Sequence, residues 1–524
     1  MATRTDDLVV GVEVNSPTIG SSISTWIGTH LQRHGRNVRI GLALTTGVAW
    51  ASATPPRGWW PMLSLGVASL TLALHGQGAR ERCLFGGLTG SVFYGLTLRW
   101  LMDFSVPGYV AMVMLETTLL AAAVALIQAP GSGRWAGGWW TLPAALVLLE
   151  AVQLRFPLGG FPLPGLALSQ VNGPFALAAP LGGSLLVTAL AATSGVALAA
   201  LMVMPGRRRQ FAAVGGAVGI ILAPLLVGAA ITTRTISTLD VAVVQGGGPR
   251  GVLADPTRVT ARHLAVMQQI AGTPDLVVLP ENVVDVDGSI AGSLPDSQVG
   301  AQARRLNTSV VVGIVEKSGT KFRNAAVLWG PDGDRLDRYE KEHRVPFGEY
   351  IPARHLLQVV TDATTLVPRD AIPGEGTALL SAPVGPLGVV ISYEVFFADR
   401  VREAVTSGGQ VVLVPTNAAS YLTPEVPALE VAEARLRARE FDRAVIQAAP
   451  TGYSAVILPN GTVTAQSKLG AASLLRERIP LRSSLTPYAR VGDLPMITLA
   501  LAVIVARPLT TATRSLLRRH RRLL

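Results

Sequence analysis

Three residues in the C-terminal half have types and settings suited to acyl chemistry. Glu281 ends an apolar run, Val277-Val-Leu-Pro-Glu281-Asn. A carboxylate at the end of a buried strand has apolar neighbours, which raise its pKa and suit it to general-base work. Taken alone, such a glutamate more often caps an element or faces solvent. Lys341 is one of four lysines, with Lys317, Lys321 and Lys468, in a chain that otherwise draws its positive charge from arginine. Lysine against that background selects a compact ammonium over a planar fork. Ser392 lies in Gly388-Val-Val-Ile-Ser-Tyr-Glu394, which reads as a buried strand ending in an abrupt polar cluster. A hydroxyl there is a nucleophile far harder to deprotonate than a thiol, whose pKa is about 8.5.

The elements that must hold these groups are legible around them. Short β-rich runs recur at 239–245, 276–280, 309–313, 325–329, 387–391 and 410–415, with helical stretches such as 256–271 and 426–441 between them. Near-continuous apolar strands alternating with helices predict an α/β domain with buried sheets.

The N-terminal half reads differently. The chain has 524 residues, 49% hydrophobic and 15% charged, against the roughly 25% charged of a soluble domain. The deficit is concentrated before residue 235. Apolar runs near 38–54, 61–76, 84–102, 108–128, 137–154, 175–204 and 211–231, and a last one near 495–510, are long enough or nearly so to cross a bilayer. The second and last are short, and the sixth is interrupted by Gly182-Gly183. Arginines mark alternate loops: Arg33, Arg36 and Arg39, then Arg80 and Arg82, then Arg134, then Arg207 to Arg209, and finally the tail from Arg507 to Arg522. Placing these in the cytoplasm predicts eight spans with both termini inside. The expected domains are a cytoplasmic segment 1–37, a membrane domain 38–231, an extracytoplasmic α/β domain 232–494, a last span 495–510 and a basic tail 511–524.

A net charge of +11, almost all arginine beside apolar segments, fits a membrane surface; with no binding motif beside it, nucleic acid is not expected as a partner. The one cysteine, Cys83, falls in Arg80-Glu-Arg-Cys83, read as a loop, and has no acid–base partner nearby. The polar first 37 residues precede an apolar run without a small-residue cleavage site, so that run is expected to be an uncleaved anchor.

Glutamate, lysine and a strand-end nucleophile, in that order, resemble the catalytic set of the nitrilase superfamily. Fused to a membrane-spanning half, the set resembles bacterial apolipoprotein N-acyltransferase. The long motif Tyr339-x-Lys341-x-His343-x-Val-Pro-Phe-Gly-Glu349-x-Ile-Pro352 is its most specific mark. Others are Arg437-Ala-Arg-Glu440, Thr451-Gly-Tyr-Ser454 and Thr486-x-Tyr488-x-Arg490-x-Gly492-Asp493. The resemblance implies a multi-span helical membrane domain plus a four-layered α-β-β-α sandwich. It implies a ping-pong transfer of a phospholipid acyl chain to the nucleophile and then to the amino group of a diacylglyceryl lipoprotein, in the plasma membrane of a bacterium, without metal or cofactor. In that scheme Glu281 is base and acid. Lys341 and a main-chain N–H near residue 393 stabilise the oxyanion. Glu349, Tyr393, Glu394 and Asn417 support them.

Two departures accompany the resemblance. The family's nucleophile is cysteine where this chain has Ser392, and its Asn-Asp-Ala-Trp-Phe-Gly loop reads Thr416-Asn417-Ala-Ala-Ser420-Tyr421-Leu422 here. They leave open an acyltransferase that uses serine, and a paralogue of low or no turnover that serves as a membrane scaffold or binds lipid or lipoprotein. A membrane-tethered amidohydrolase explains the spans poorly. In the membrane half, Glu150 is expected to pair with Arg155 near the end of a span.

Overall fold

The computed structural model describes residues 35–130, 138–204, 207–251, 255–360, 364–365 and 367–505. The segment 1–34 and the tail from 506 lie outside them, and with them most of the expected N-terminal segment and all of the basic tail.

Seven α-helices among the described residues precede the first strand: α1 Gly35–Ala53, α2 Pro61–Leu74, α3 Ala79–Thr97, α4 Val106–Leu126, α5 Thr141–Gln153, α6 Ala179–Val203 and α7 Arg207–Ala230. Another apolar helix, Leu494–Val505, follows the last strand. Among the described residues each apolar run falls largely on a helix, but only three stretches there are long and apolar enough to cross a membrane: Val106–Leu126, Pro174–Val203 and Gln210–Ala230. The expectation of about eight such spans is corrected to three on that criterion. Helices α2 and α5 have 14 and 13 residues, about 20 Å each against a core of roughly 30 Å. Of the three long stretches, Pro174–Val203 has 56% of its most apolar window buried, against 22% and 11% for the other two. It is the central helix of the bundle.

Two arginines serve helix ends in this half. Arg39 lies inside α1, not before it, and donates to the carbonyls of Leu72, Ala73 and His75 at the end of α2. Arg82 lies in α3 and donates to Val124 and Ala125 at the end of α4. Each places positive charge where unsatisfied carbonyls and the helix dipole favour it. The stretch Arg80 to Cys83, expected as a loop, thus forms the first turns of α3, with Gly78 as N-cap.

The following domain has four layers. One sheet has strand order Ser473–Arg482, Thr235–Gln245, Leu276–Val278, Ser309–Ser318, Lys321–Trp329, Arg335–Glu340. The other runs Val463–Gln466, Ala455–Ile457, Val445–Ala448, Val412–Pro415, Gly385–Val389, Leu379–Ala382. Side-chain alternation explains the layering. Leu239, Val241 and Val243 face a core shared with Leu387, Val389, Leu413 and Ile446 of the second sheet. Ala242 and Val244 face the opposite way, onto helices Pro256–Gln268 and Leu294–Leu306. On the outer face of the second sheet, helices Ala398–Thr406 and Glu425–Phe441 share one continuous core with the membrane helices. The α/β architecture expected from the sequence is present, and its second helix layer is continuous with the membrane half.

The joint lies at the interruption in α6. Gly182 and Gly183 leave helical geometry, Gly183 with φ +66°, and a Cβ on Gly183 would stand 2.4 Å from the Tyr488 ring. The N–H of Ser184, freed by this break, donates to Glu440 at 2.7 Å. The expected pairing of Glu150 with Arg155 does not occur. Glu150 accepts from Leu166 N, Ala167 N and the Thr188 hydroxyl. Arg155 instead reaches Asp493 at 3.3 Å. Glu150 is buried and Arg155 is on the surface, so the carboxylate takes donors that are already inside.

Candidate active site

The first sheet supplies a charge cluster. Strand Leu276–Val278 runs parallel to Ser309–Ser318, and the chain leaves its carboxyl end through Pro280 to Glu281. Gly313 permits this path, since a Cβ there would stand 2.4 Å from the Glu281 Cα. Lys341 follows strand Arg335–Glu340, its N–H donating to the Asn324 carbonyl at 2.8 Å. Its Nζ donates to Glu281 at 3.0 Å and to Glu349 at 2.9 Å. Asn324 Nδ2 donates to the same two oxygens, at 2.7 and 3.0 Å. Only 3% of Glu281 and 2% of Lys341 is exposed, so this electrostatic pairing is poorly screened. Burial pushes the Glu281 carboxyl up, with Lys341 opposing and Glu349 reinforcing. For Lys341, burial favours the neutral amine, but the Glu281 and Glu349 carboxylates outweigh it and hold the ammonium well above its ordinary range.

The second sheet supplies Ser392. Strands Gly385–Val389 and Val412–Pro415 are parallel, so their carboxyl ends share an edge. Ser392 stands just beyond the first, at φ +51°, and opens a 3₁₀ turn, Ser392–Phe396. Left-handed backbone at a serine is a strained setting that persists only where its surroundings enforce it. Glu394 supplies much of that enforcement. It accepts from Ile391 N at 2.7 Å, Tyr339 Oη at 2.8 Å, Glu342 N at 2.9 Å and His343 N at 3.0 Å. One carboxylate thereby ties the serine turn to the loop carrying Lys341. Tyr393 points the other way and donates to the Gly160 carbonyl of the membrane half at 2.9 Å.

From behind, Arg437 donates to the carbonyls of Val395 and Phe396 and is paired with Glu433 and Glu440. This chain of contacts runs from the α6 interruption through Glu440 and Arg437 to the serine turn.

Of the residues singled out in the sequence, Glu281, Lys341 and Glu349 meet directly, and Glu394 and Tyr393 hold the Ser392 turn. Asn417 does not join them; its Oδ1 accepts from Ala419 N at 3.1 Å, within its own loop. Ser392 Oγ has its side-chain hydrogen bond with Thr416 Oγ1, at 3.1 Å. Thr416 Oγ1 lies 2.6 Å from Glu430 Oε1. Sequence reasoning missed Asn324, Thr416 and Glu430. Thr416 had a visible signal, because it ends an apolar strand beside the strand that leads to Ser392. Tyr421, half-buried, packs edge-on against Trp100 and Phe104 of the membrane half.

Comparison with known proteins covers both halves. Residues 46–197 match a family model described as the apolipoprotein N-acyltransferase N-terminal domain, and residues 240–484 match one described as carbon-nitrogen hydrolase. An apolipoprotein N-acyltransferase of Mycolicibacterium smegmatis is 29% identical, with 94% of this chain and 89% of the relative covered. One from Pseudomonas paraeruginosa is also 29% identical, over 88% and 93%. Among solved structures, an amidase from a Nesterenkonia species is 21% identical, with a TM-score of 0.35, covering 50% of this chain and 97% of its own.

Proposed function

The chain belongs to the apolipoprotein N-acyltransferase family, and from that premise we propose that it moves a phospholipid acyl chain, by way of an ester on Ser392, to the amino terminus of a diacylglyceryl lipoprotein. In this reading Glu281 moves protons. Lys341 stabilises the oxyanion, and Glu349 and Asn324 hold it in place. Glu394, Tyr393 and Arg437 fix the strained serine turn. Asn417 shapes the adjacent loop.

The observation that carries the reading is the buried Lys341 held between Glu281 and Glu349 on one sheet, tied through Glu394 to the Ser392 turn on the other. The continuous core between the second helix layer and the bundle supports substrates that arrive from a bilayer. We further read the apolar helices as a multi-pass unit in a bacterial plasma membrane, with 232–494 outside the cytoplasm. Support comes from the alternating arginines, two of which serve helix carboxyl ends.

The test is mass spectrometry of a diacylglyceryl lipopeptide incubated with phospholipid and the full chain, as Ser392, Ser392→Ala and Ser392→Cys. An acyl-sized gain with the native chain that vanishes in Ser392→Ala is expected. Gain only in Ser392→Cys would mean a site silenced at its nucleophile. Absence of gain in every form, beside a working cysteine-bearing relative, would favour a scaffold.

A further inference from the structure

The charge cluster on the first sheet does not touch the Ser392 hydroxyl through any hydrogen bond among the described residues. A second carboxylate does, at one remove. Thr416 extends strand Val412–Pro415, its N–H donating to Ala448 at 2.8 Å. That places its hydroxyl beside Ser392 on the shared carboxyl edge of the two parallel strands. Helix Glu425–Phe441 crosses behind this edge and presents Glu430. Oγ1 of Thr416 lies 2.6 Å from Glu430 Oε1 and 3.1 Å from Ser392 Oγ. All three residues are buried, Thr416 completely. The other Glu430 oxygen, Oε2, has no hydrogen-bond partner among the described residues.

The proton count gives this chain a direction. Thr416 has one hydroxyl proton and two neighbours. The short contact to a carboxylate oxygen is the stronger of the two and takes that proton. Ser392 is then the donor to Thr416, and the line runs from nucleophile to hydroxyl to carboxylate. A buried carboxylate with one oxygen unpartnered is costly as structure alone, and such groups call for an explanation. A serine hydroxyl needs a base where a thiol does not, and this relay supplies one at the position where the resemblance places cysteine.

We propose that Glu430, acting through Thr416, is the proton acceptor that activates Ser392 for acyl transfer. The inference rests on the acyl-ester reading above and adds the base. As Ser392 Oγ forms its bond to the acyl carbon, its proton moves to Thr416 Oγ1 and the threonine proton moves to Glu430. The bond from the acyl carbon to the glycerol oxygen breaks, and the leaving alkoxide takes its proton from Thr416 as Glu430 returns one to Thr416, which restores the carboxylate. In the second half, the amine nitrogen forms the amide, the bond from Ser392 Oγ to the acyl carbon breaks, and the amine's proton returns to Ser392. Nothing is oxidised or reduced.

The electrostatics agree with the geometry. Burial pushes the Glu430 carboxyl up to about 7, against the Thr416 hydrogen bond, with Glu281 reinforcing and Lys341 and Ser392 opposing. Tyr421, the other titratable group facing it, is itself pushed above its ordinary range by burial and by Glu430. A base that titrates near neutrality is matched to its task.

The test follows acylation of the full chain by p-nitrophenyl decanoate, read as intact mass, from about pH 5 to about pH 9. It needs no lipoprotein acceptor. The rate of acyl-Ser392 formation is expected to rise through about pH 7, where Glu430 loses its proton, and then level. Glu430→Gln is expected to lower the plateau by on the order of 10²-fold and to remove that inflection, and Thr416→Val to do the same. Ser392→Cys, whose thiol ionises without the relay, is expected to lose less than about threefold when Glu430→Gln is added. This rescue separates a base from a packing role. No acyl-Ser392 in the native chain would overturn the proposal. So would a Glu430→Gln rate within about threefold of native, or a Ser392→Cys protein equally crippled by Glu430→Gln. Acyl-Ser392 that depends on Glu430, without acylated lipopeptide in the earlier assay, would leave this inference standing and sink the N-acyltransfer reading.

Discussion

The two sheets deliver their groups to the site in opposite ways. The first presents a compact ionic cluster, in which Lys341 and Asn324 each donate to the same oxygens of Glu281 and Glu349. The second presents a strained serine whose hydroxyl leads, through Thr416, to a carboxylate with an unpartnered oxygen. A cation held by hydrogen bonds between two carboxylates is fixed in place and sets a fixed field. A relay with a spare acceptor is able to take up a proton. The difference assigns electrostatics to one side of the site and proton traffic from the nucleophile to the other.

The strongest way to break that division is at Lys341. Lys341→Met keeps the volume and leaves the buried Glu281 and the half-buried Glu349 without their cation. Removing one partner of a buried pair costs about 3–5 kcal/mol, and losing one oxyanion donor costs on the order of 10²–10³ in rate. Thermal unfolding of the purified chain and the lipopeptide assay read the two separately. Adding Glu349→Gln is expected to restore part of the stability and none of the rate. If it restored both, the cluster would be structural and the division would fail.

Arg437 tests the second side by stability. Arg437→Met deprives the Val395 and Phe396 carbonyls of their donor and strands Glu433 and Glu440, again about 3–5 kcal/mol. This deficit should depend on pH. Burial pushes Glu433 up to about 8 even with Arg437 beside it. A carboxyl that holds its proton more tightly when folded adds stability below its unfolded pKa of about 4.3 and loses that contribution as pH rises through the folded value. Without the guanidinium the folded value rises further. The gap between variant and native melting temperatures is therefore expected to widen from acid to above pH 8. A gap independent of pH would mean that packing, not charge, holds the turn.

The first side of the site was the more legible in the sequence. Glu281 and Lys341 sit in local motifs, each on a strand end, and Glu349 is eight residues from Lys341 within one motif. The apolar runs likewise announced every helix of the bundle, although several are too short to meet the length of a span. What escaped depends on partners far apart in the chain. Glu430 looks like any acidic residue on a helix, and nothing local shows that its strip faces a neighbouring strand end. Asn324 is one polar residue inside a strand, given meaning only by the pairing of two other strands. Glu150 and Arg155 are close in sequence and opposite in charge, yet burial sends them to different partners. Proximity along the chain was a poor guide wherever desolvation decided the contact.

Asn417 gives the mildest and most discriminating perturbation. It follows Thr416 directly, and the sequence placed it among the supporting residues. Among the described residues, however, its side chain accepts a hydrogen bond only within its own loop, from Ala419 N at 3.1 Å. Losing one neutral hydrogen bond of this kind costs about 0.5–1.5 kcal/mol, local to the loop. Asn417→Ala is therefore expected to change the rate of Ser392 acylation by less than about threefold, while Thr416→Val, one residue earlier, lowers it by on the order of 10²-fold. The backbone path through both positions is the same, so a general loosening of the loop would affect them alike. Equal and large losses at the two would place the control of Ser392 in the loop as a whole. A steep drop at Thr416 alone would confine it to the hydroxyl between serine and carboxylate.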